Sequence, residues 1–135
     1  MVKIVLDTNV LVSAILTPDG SPGRVLELVA DSSVHLVVSP SILTEYEEVL
    51  SRKKFRLTQT AVHAILDSLT KLATEIVPSE AIRACSDAGD DKFLECAYAA
   101  GVSRLITGNQ KHFPRNFGTI RILSPASFIQ EIEGL

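Results

Sequence analysis

Short runs of Val, Ile and Leu alternate along this chain with longer stretches of helical periodicity, and that alternation restricts the fold more than any other feature. Strand-like runs fall at residues 3–6, 34–38, 75–77, 104–107 and 120–123. They are nearly continuous in apolar character, which suits central parallel strands covered on both faces. Helix starts are marked between them. Ser21-Pro22, Ser39-Pro40 and Ser124-Pro125 each place a capping hydroxyl before a proline that sacrifices no hydrogen bond at the first helical position. Thr58 opens a long helix reaching about Ala73, and Gly101 ends one that starts near Asp90. Such a pattern predicts an α/β fold with a parallel sheet of about five strands and helices on both sides. Ligands in sheets of this kind gather at the carboxyl ends of the strands.

The 135 residues suit one domain spanning 1–135, and no repeat or linker interrupts them. With 46% hydrophobic residues, a packed core is expected. The formal charge of −3 argues against bulk attraction to nucleic acid, so any such role needs a local basic patch or bound cations. Cys85 and Cys96 form no zinc pattern, and Cys96 falls in an apolar helical stretch, as a buried thiol would. No stretch has the length and apolarity of a membrane span, and the expected setting is cytoplasmic and reducing.

Carboxylates carry the chemistry. Asp7 directly follows the first strand in Leu6-Asp7-Thr8-Asn9, where it opens onto the crevice; it is equally suited to cap the next helix. On the helix 40–50, Ile42, Leu43, Tyr46, Val49 and Leu50 form the buried stripe. Glu45 and Glu47 sit on opposite edges of that stripe, and periodicity alone does not choose between them; Glu48 points away. In Asp87-Ala88-Gly89-Asp90-Asp91, Asp90 shares a helical face with Phe93, Leu94 and Ala97, which favours it as the inward acid and leaves Asp91 outside. An inward carboxylate needs a partner, and a divalent cation is one; acids at a helix start also serve the dipole alone. After the fourth strand, Thr107 and Asn109 offer oxygens to a carboxylate or a metal-bound water, in what is otherwise a turn.

Rival chemistries lack their parts. A strand-end aspartate also begins haloacid-dehalogenase-like phosphatases, but Asn9 stands where their acid would be. Response-regulator receivers need an acidic pair, an Asp ending a middle strand and a Lys after a late one, but Pro78 and Ser124 follow the relevant strands. His35, His63 and His112 are scattered, with His112 near the expected mouth and read as a surface residue. Arg52-Lys53-Lys54-Phe55-Arg56 is the densest basic stretch. It either offsets a helix dipole or contacts phosphates, with Lys111 and Arg115 extending the edge.

The strand-end Asp7-Thr8-Asn9, the helical Glu45-Tyr46, the acid before the Ala-rich helix and Thr107-Gly108 occur in an order that resembles the PIN-domain family. The stretch Asp90-Asp91-Lys92-Phe93-Leu94-Glu95-Cys96-Ala97 and Thr107-Gly108-Asn109 through Lys111-His112-Phe113-Pro114 look like its branch of toxins from toxin–antitoxin pairs, the VapC-like ribonucleases. The resemblance spans nearly the whole chain and implies a three-layer α/β/α fold and Mg²⁺- or Mn²⁺-dependent cleavage of RNA. It matches Asp7, Glu45 and Asp90 to the family's acids as metal ligands, and Asn109 to a fourth position that is acidic in many members. Asn9, Thr107, Asp87 and Asp91 surround these as supporting groups; Arg52, Lys53, Lys54 and Lys111 are the expected RNA contacts. An antitoxin partner and a homodimer also follow from the resemblance. An RNA-processing nuclease and a non-cleaving binding module are the alternatives, the second favoured by Asn109.

Overall fold

The computed structural model describes residues 1–134. The chain runs β1 (Val2–Leu6), α1 (Thr8–Leu16), α2 (Ser21–Ala30), β2 (Val34–Val38), α3 (Pro40–Leu50), α4 (Gln59–Leu72), β3 (Thr74–Glu75), α5 (Asp91–Ala100), β4 (Arg104–Ile106), β5 (Asn116–Phe117), β6 (Ile120–Leu123) and α6 (Pro125–Glu133). Short 3₁₀ turns occupy Lys53–Phe55, Ala88–Asp90 and Gln110–His112. The strands form one sheet in the order β3-β2-β1-β4-β6-β5, flanked by helices in three α/β/α layers. Every pairing is parallel except β5 with β6.

This topology locates the chemistry. From β1 the chain builds outward through β2 to β3, then returns to lay β4 and β6 on the other side of β1. The direction of winding reverses between β1 and β4, and connections leaving those strands in opposite directions open a crevice at their carboxyl ends. Ile4, Val5, Leu6, Leu36, Leu105 and Ile106 are buried, as strands covered on both faces require. Helix α5 packs across β1, β2 and β4 with Phe93, Leu94, Cys96 and Ala97 in the core. No helix among the described residues is long and apolar enough to cross a membrane.

Several local signals act as the chemistry of capping predicts. Ser39 Oγ accepts from Ile42 N, Thr58 Oγ1 from Ala61 N, and Ser124 Oγ from Ser127 N. Gly101 closes α5 with φ +66°. Others differ from the expectation. Gly20, not Ser21, holds the cap position of α2, and no side chain caps that helix. The third strand is Thr74–Glu75 rather than 75–77, and both its residues are exposed, because it lies on the sheet edge and pairs only with β2. The fourth stops at Ile106, releasing Thr107 from the ladder. There is a sixth strand, β5, which a two-residue turn beginning at Gly118 (φ +59°) folds back against β6.

Gly23 shows where packing leaves no room. A Cβ there would lie 1.9 Å from the Pro18 carbonyl oxygen and 2.5 Å from its carbon, both rigid backbone atoms. Gly23→Ala should therefore destabilise the protein by about 1–3 kcal/mol through overpacking, despite Ala's better helix propensity. Urea unfolding should show a lower midpoint with an unchanged slope.

Candidate active site

Asp7 stands at the cap position of α1, but its carboxylate makes no capping bond. Instead Oδ2 accepts from Thr107 Oγ1 at 2.7 Å, across the gap between β1 and β4. The backbone repeats the link, since Asp7 N donates to Ile106 O at 2.9 Å, while Thr107 N donates to Leu123 O of β6 at 2.9 Å. Thr107 is fully buried, and its hydroxyl oxygen also accepts from Asn109 N at 3.0 Å, which shapes the turn after β4. The opposite side of that turn is held by Asn9 Oδ1, which accepts from Gly108 N at 3.4 Å.

Helix α3 supplies the second acid. The buried Tyr46 hydroxyl donates to Leu6 O, the last carbonyl of β1 before Asp7. Its neighbour Glu45 is thereby set at the crevice, where Oε2 accepts from Thr8 Oγ1 and Oε1 lies 2.7 Å from Lys92 Nζ. Glu47 and Glu48 are exposed on the other sides of the helix, and Glu48 pairs with Arg52 at 3.2 Å.

The third acid departs from the helical-face reasoning. Asp90 ends a 3₁₀ turn and lies outside α5, with its carboxylate in the crevice and Oδ2 3.6 Å from His112 Nδ1. The inward residue is Asp91, which is buried and uses Oδ1 to accept from Cys85 N (2.8 Å) and Ala84 N (3.1 Å). Burial opposes its charge, but these amides more than compensate and hold its carboxyl below the usual range. Asp91 thus pins the segment before the turn. Asp87 lies at the crevice rim and spends Oδ1 on Gly89 N at 2.9 Å.

These residues enclose a crevice of about 430 Å³. Its lining includes the polar Asp7, Glu45, Asp90, Asn109 and His112, the apolar Val12, Val49 and Phe55, and Arg52. Of the expected RNA contacts only Arg52 lines the crevice. Lys53, Lys54 and Lys111 are exposed on neighbouring 3₁₀ turns, Lys54 Nζ lying 5.1 Å from the Phe55 ring centre. Thr8 and Lys92, both bonded to Glu45, escaped the sequence reading; their signals were adjacency to Asp7 and to Asp90-Asp91.

Burial raises the Asp7 pKa to about 6 against the partial relief of the Thr107 bond, and the charges of Asp90 and Glu45 add to the rise. Asp90 is raised too, first by burial and then by Asp87. Acids held unfavourably charged in one crevice suit a bound cation. The Thr107 hydroxyl and the Thr8 amide relieve Asp7 only in part. Among the described residues no three His, Cys, Asp or Glu side chains stand close enough to enclose an ion alone. Two carboxylates completed by water are the arrangement Mg²⁺ usually takes, and that donor set fits the crevice.

Comparisons with known proteins bear on the family and the fold. The sequence profile of the PIN domain matches residues 3–111. An uncharacterized protein of Methanocaldococcus jannaschii is 31% identical over 144 aligned positions, covering 98% of this chain and 92% of its own. The fold is similar to a chain in the crystal structure of VapBC2 from Rickettsia felis bound to a DNA fragment from their promoter. The TM-score is 0.62 at 20% identity, over 90% of this chain and 98% of that one.

The raised pKa of Asp7 makes a prediction for the metal-free protein. Between pH 4 and 6 the folded carboxyl keeps a proton that the unfolded chain has released, so its contribution is present below about pH 4 and is lost as pH rises through about 6. Asp7→Asn keeps the shape without the charge. In EDTA the variant should match wild type near pH 4 and exceed it by about 3 kcal/mol at pH 7, from a shift of roughly two pH units. Paired urea melts across that range check the difference.

Proposed function

The chain belongs to the PIN-domain family, and on that premise we propose that it is a Mg²⁺- or Mn²⁺-dependent endoribonuclease acting as the toxin of a toxin–antitoxin pair. One observation carries the reading. Asp7, Glu45 and Asp90, from three separate segments, line one crevice at the carboxyl edge of the sheet, and Asp7 is buried there without capping its helix.

Asp7 and Asp90 are the direct ligands in this reading. When bound, a divalent cation supplies positive charge against the scissile phosphate and lowers the pKa of a water. The chain's own groups do the rest. Thr107 fixes one Asp7 oxygen, and the carboxylate lines the crevice. Glu45 orients the attacking water and takes up its proton at a carboxylate oxygen. His112, beside Asp90, faces the same space. The apolar wall of Val12, Val49 and Phe55 offers a surface on which a nucleobase can rest, and base stacking on aromatic rings is tolerant of sequence. Arg52 at the crevice, with Lys53, Lys54 and Lys111 outside it, provides the local positive charge that the acidic chain lacks overall.

Support for an antitoxin partner comes from the fold's likeness to the VapBC2 chain. The homodimer and the cytoplasmic setting belong to the same proposal; the first rests on the family resemblance, the second agrees with two free cysteines. Asn109 favours a second reading, a PIN-like module that binds RNA or protein without cutting, because a neutral amide replaces an anionic oxygen at the mouth.

Cleavage of single-stranded RNA across Mg²⁺ and Mn²⁺ titrations separates them. Wild type should cut, EDTA should abolish cutting, and Asp7→Asn should lose at least about a hundred-fold while keeping its fold. Activity unaffected by EDTA or by Asp7→Asn would refute the proposal. Inert wild type alongside an active Asn109→Asp variant would establish the binding module.

A further inference from the structure

Glu45 is not free to grip an ion. Its Oε2 is taken by the Thr8 hydroxyl and its Oε1 by Lys92, whose Nζ lies 2.7 Å away. Lys92 is itself held, because its ammonium also donates to Gly89 O, in the turn that delivers Asp90. The two side chains are only 21% and 25% exposed, so this is no loose surface pair. A fixed ammonium thus bridges the helix carrying Glu45 and the turn carrying Asp90.

The charges of the crevice then count differently. Asp7, Glu45 and Asp90 with Lys92 leave two negative charges, which one divalent cation neutralises. The remaining groups add no ligand for a second ion. Asn109 is neutral, Asp87 is exposed at the rim with Oδ1 on Gly89 N, and Arg52 is paired with Glu48. We propose that Lys92 is a built-in counter-cation that keeps Glu45 out of direct coordination and limits the site to a single divalent ion held by Asp7 and Asp90. The ammonium occupies the place where a second ion would meet Glu45. Glu45 therefore works through water, and Lys92 is a positioning residue for it.

This inference rests on the proposed function, and counting ions separates the two. Mn²⁺ binding to the full chain, read by titration calorimetry and by the electron-spin signal of free Mn²⁺, should give one ion per chain for wild type. Asn109→Asp should still bind one, because Lys92 continues to hold Glu45. The double variant Asn109→Asp/Lys92→Met, checked for folding by circular dichroism, should bind two. Two ions in wild type, or one in the folded double variant, would overturn the role of Lys92. No binding by wild type at millimolar Mn²⁺ would overturn the metal-dependent reading on which it stands. Should the double variant fail to fold, two ions in Asn109→Asp alone, where Lys92 still holds Glu45, would overturn its role.

Discussion

A carboxylate buried at the end of the central strand sets the terms for everything around it. Asp7 is 6% exposed, and the Leu6 and Ile106 side chains beside it are sealed in the core. A charge in such a place is costly unless it is bonded or neutralised. The protein answers with the Thr107 hydroxyl and the Thr8 amide, which offset the burial only in part, and the carboxylate lines the crevice. The Thr107 hydrogen bond also joins the two strands between which the winding direction reverses. The same contact therefore closes the sheet at its switch point and presents an under-compensated anion there. The Asp7 carboxylate does not cap α1.

The other acids are placed by interactions that have little to do with charge. Glu45 reaches the crevice because Tyr46, one residue on, is anchored by its hydroxyl to the carbonyl of Leu6. Asp90 reaches it because Asp91, one residue on, is buried and bonded to the amides of Ala84 and Cys85. In both cases a buried neighbour fixes the backbone and the acid is carried along. Such coupling ties the position of each acid to the core beside it, the kind of support a site needs if its ligands are to stay within a fraction of an ångström.

How far this could be read from the residues depended on whether the signal was local. Strand-end Asp7, the stripe through Ile42, Tyr46 and Leu50, and the caps at Ser39, Thr58 and Ser124 are set by nearest neighbours, and the sequence pattern carries them. Ser21 looked like the same cap and is not, because the chain approaches α2 with Gly20 at the cap position and Gly23 packed against Pro18. β5 is two residues long, too short for periodicity to register, although Gly118-Thr119 marked the turn. Helical spacing turned Asp90 inward because it assumed that α5 began there; a 3₁₀ turn intervenes, and the inward residue is Asp91. The bonds of Thr8 and Lys92 to Glu45 span 37 and 47 residues, and no local pattern can show them.

In the proposed function, Asp7 and Asp90 together hold the cation. A crystal of the wild-type protein soaked in Mn²⁺ tests it directly through the anomalous scattering of the metal. The expected result is a peak within coordination distance of Asp7 and Asp90, at the carboxyl ends of β1 and β4. A well-ordered crystal with no peak there, or with its peak elsewhere on the molecule, would contradict it.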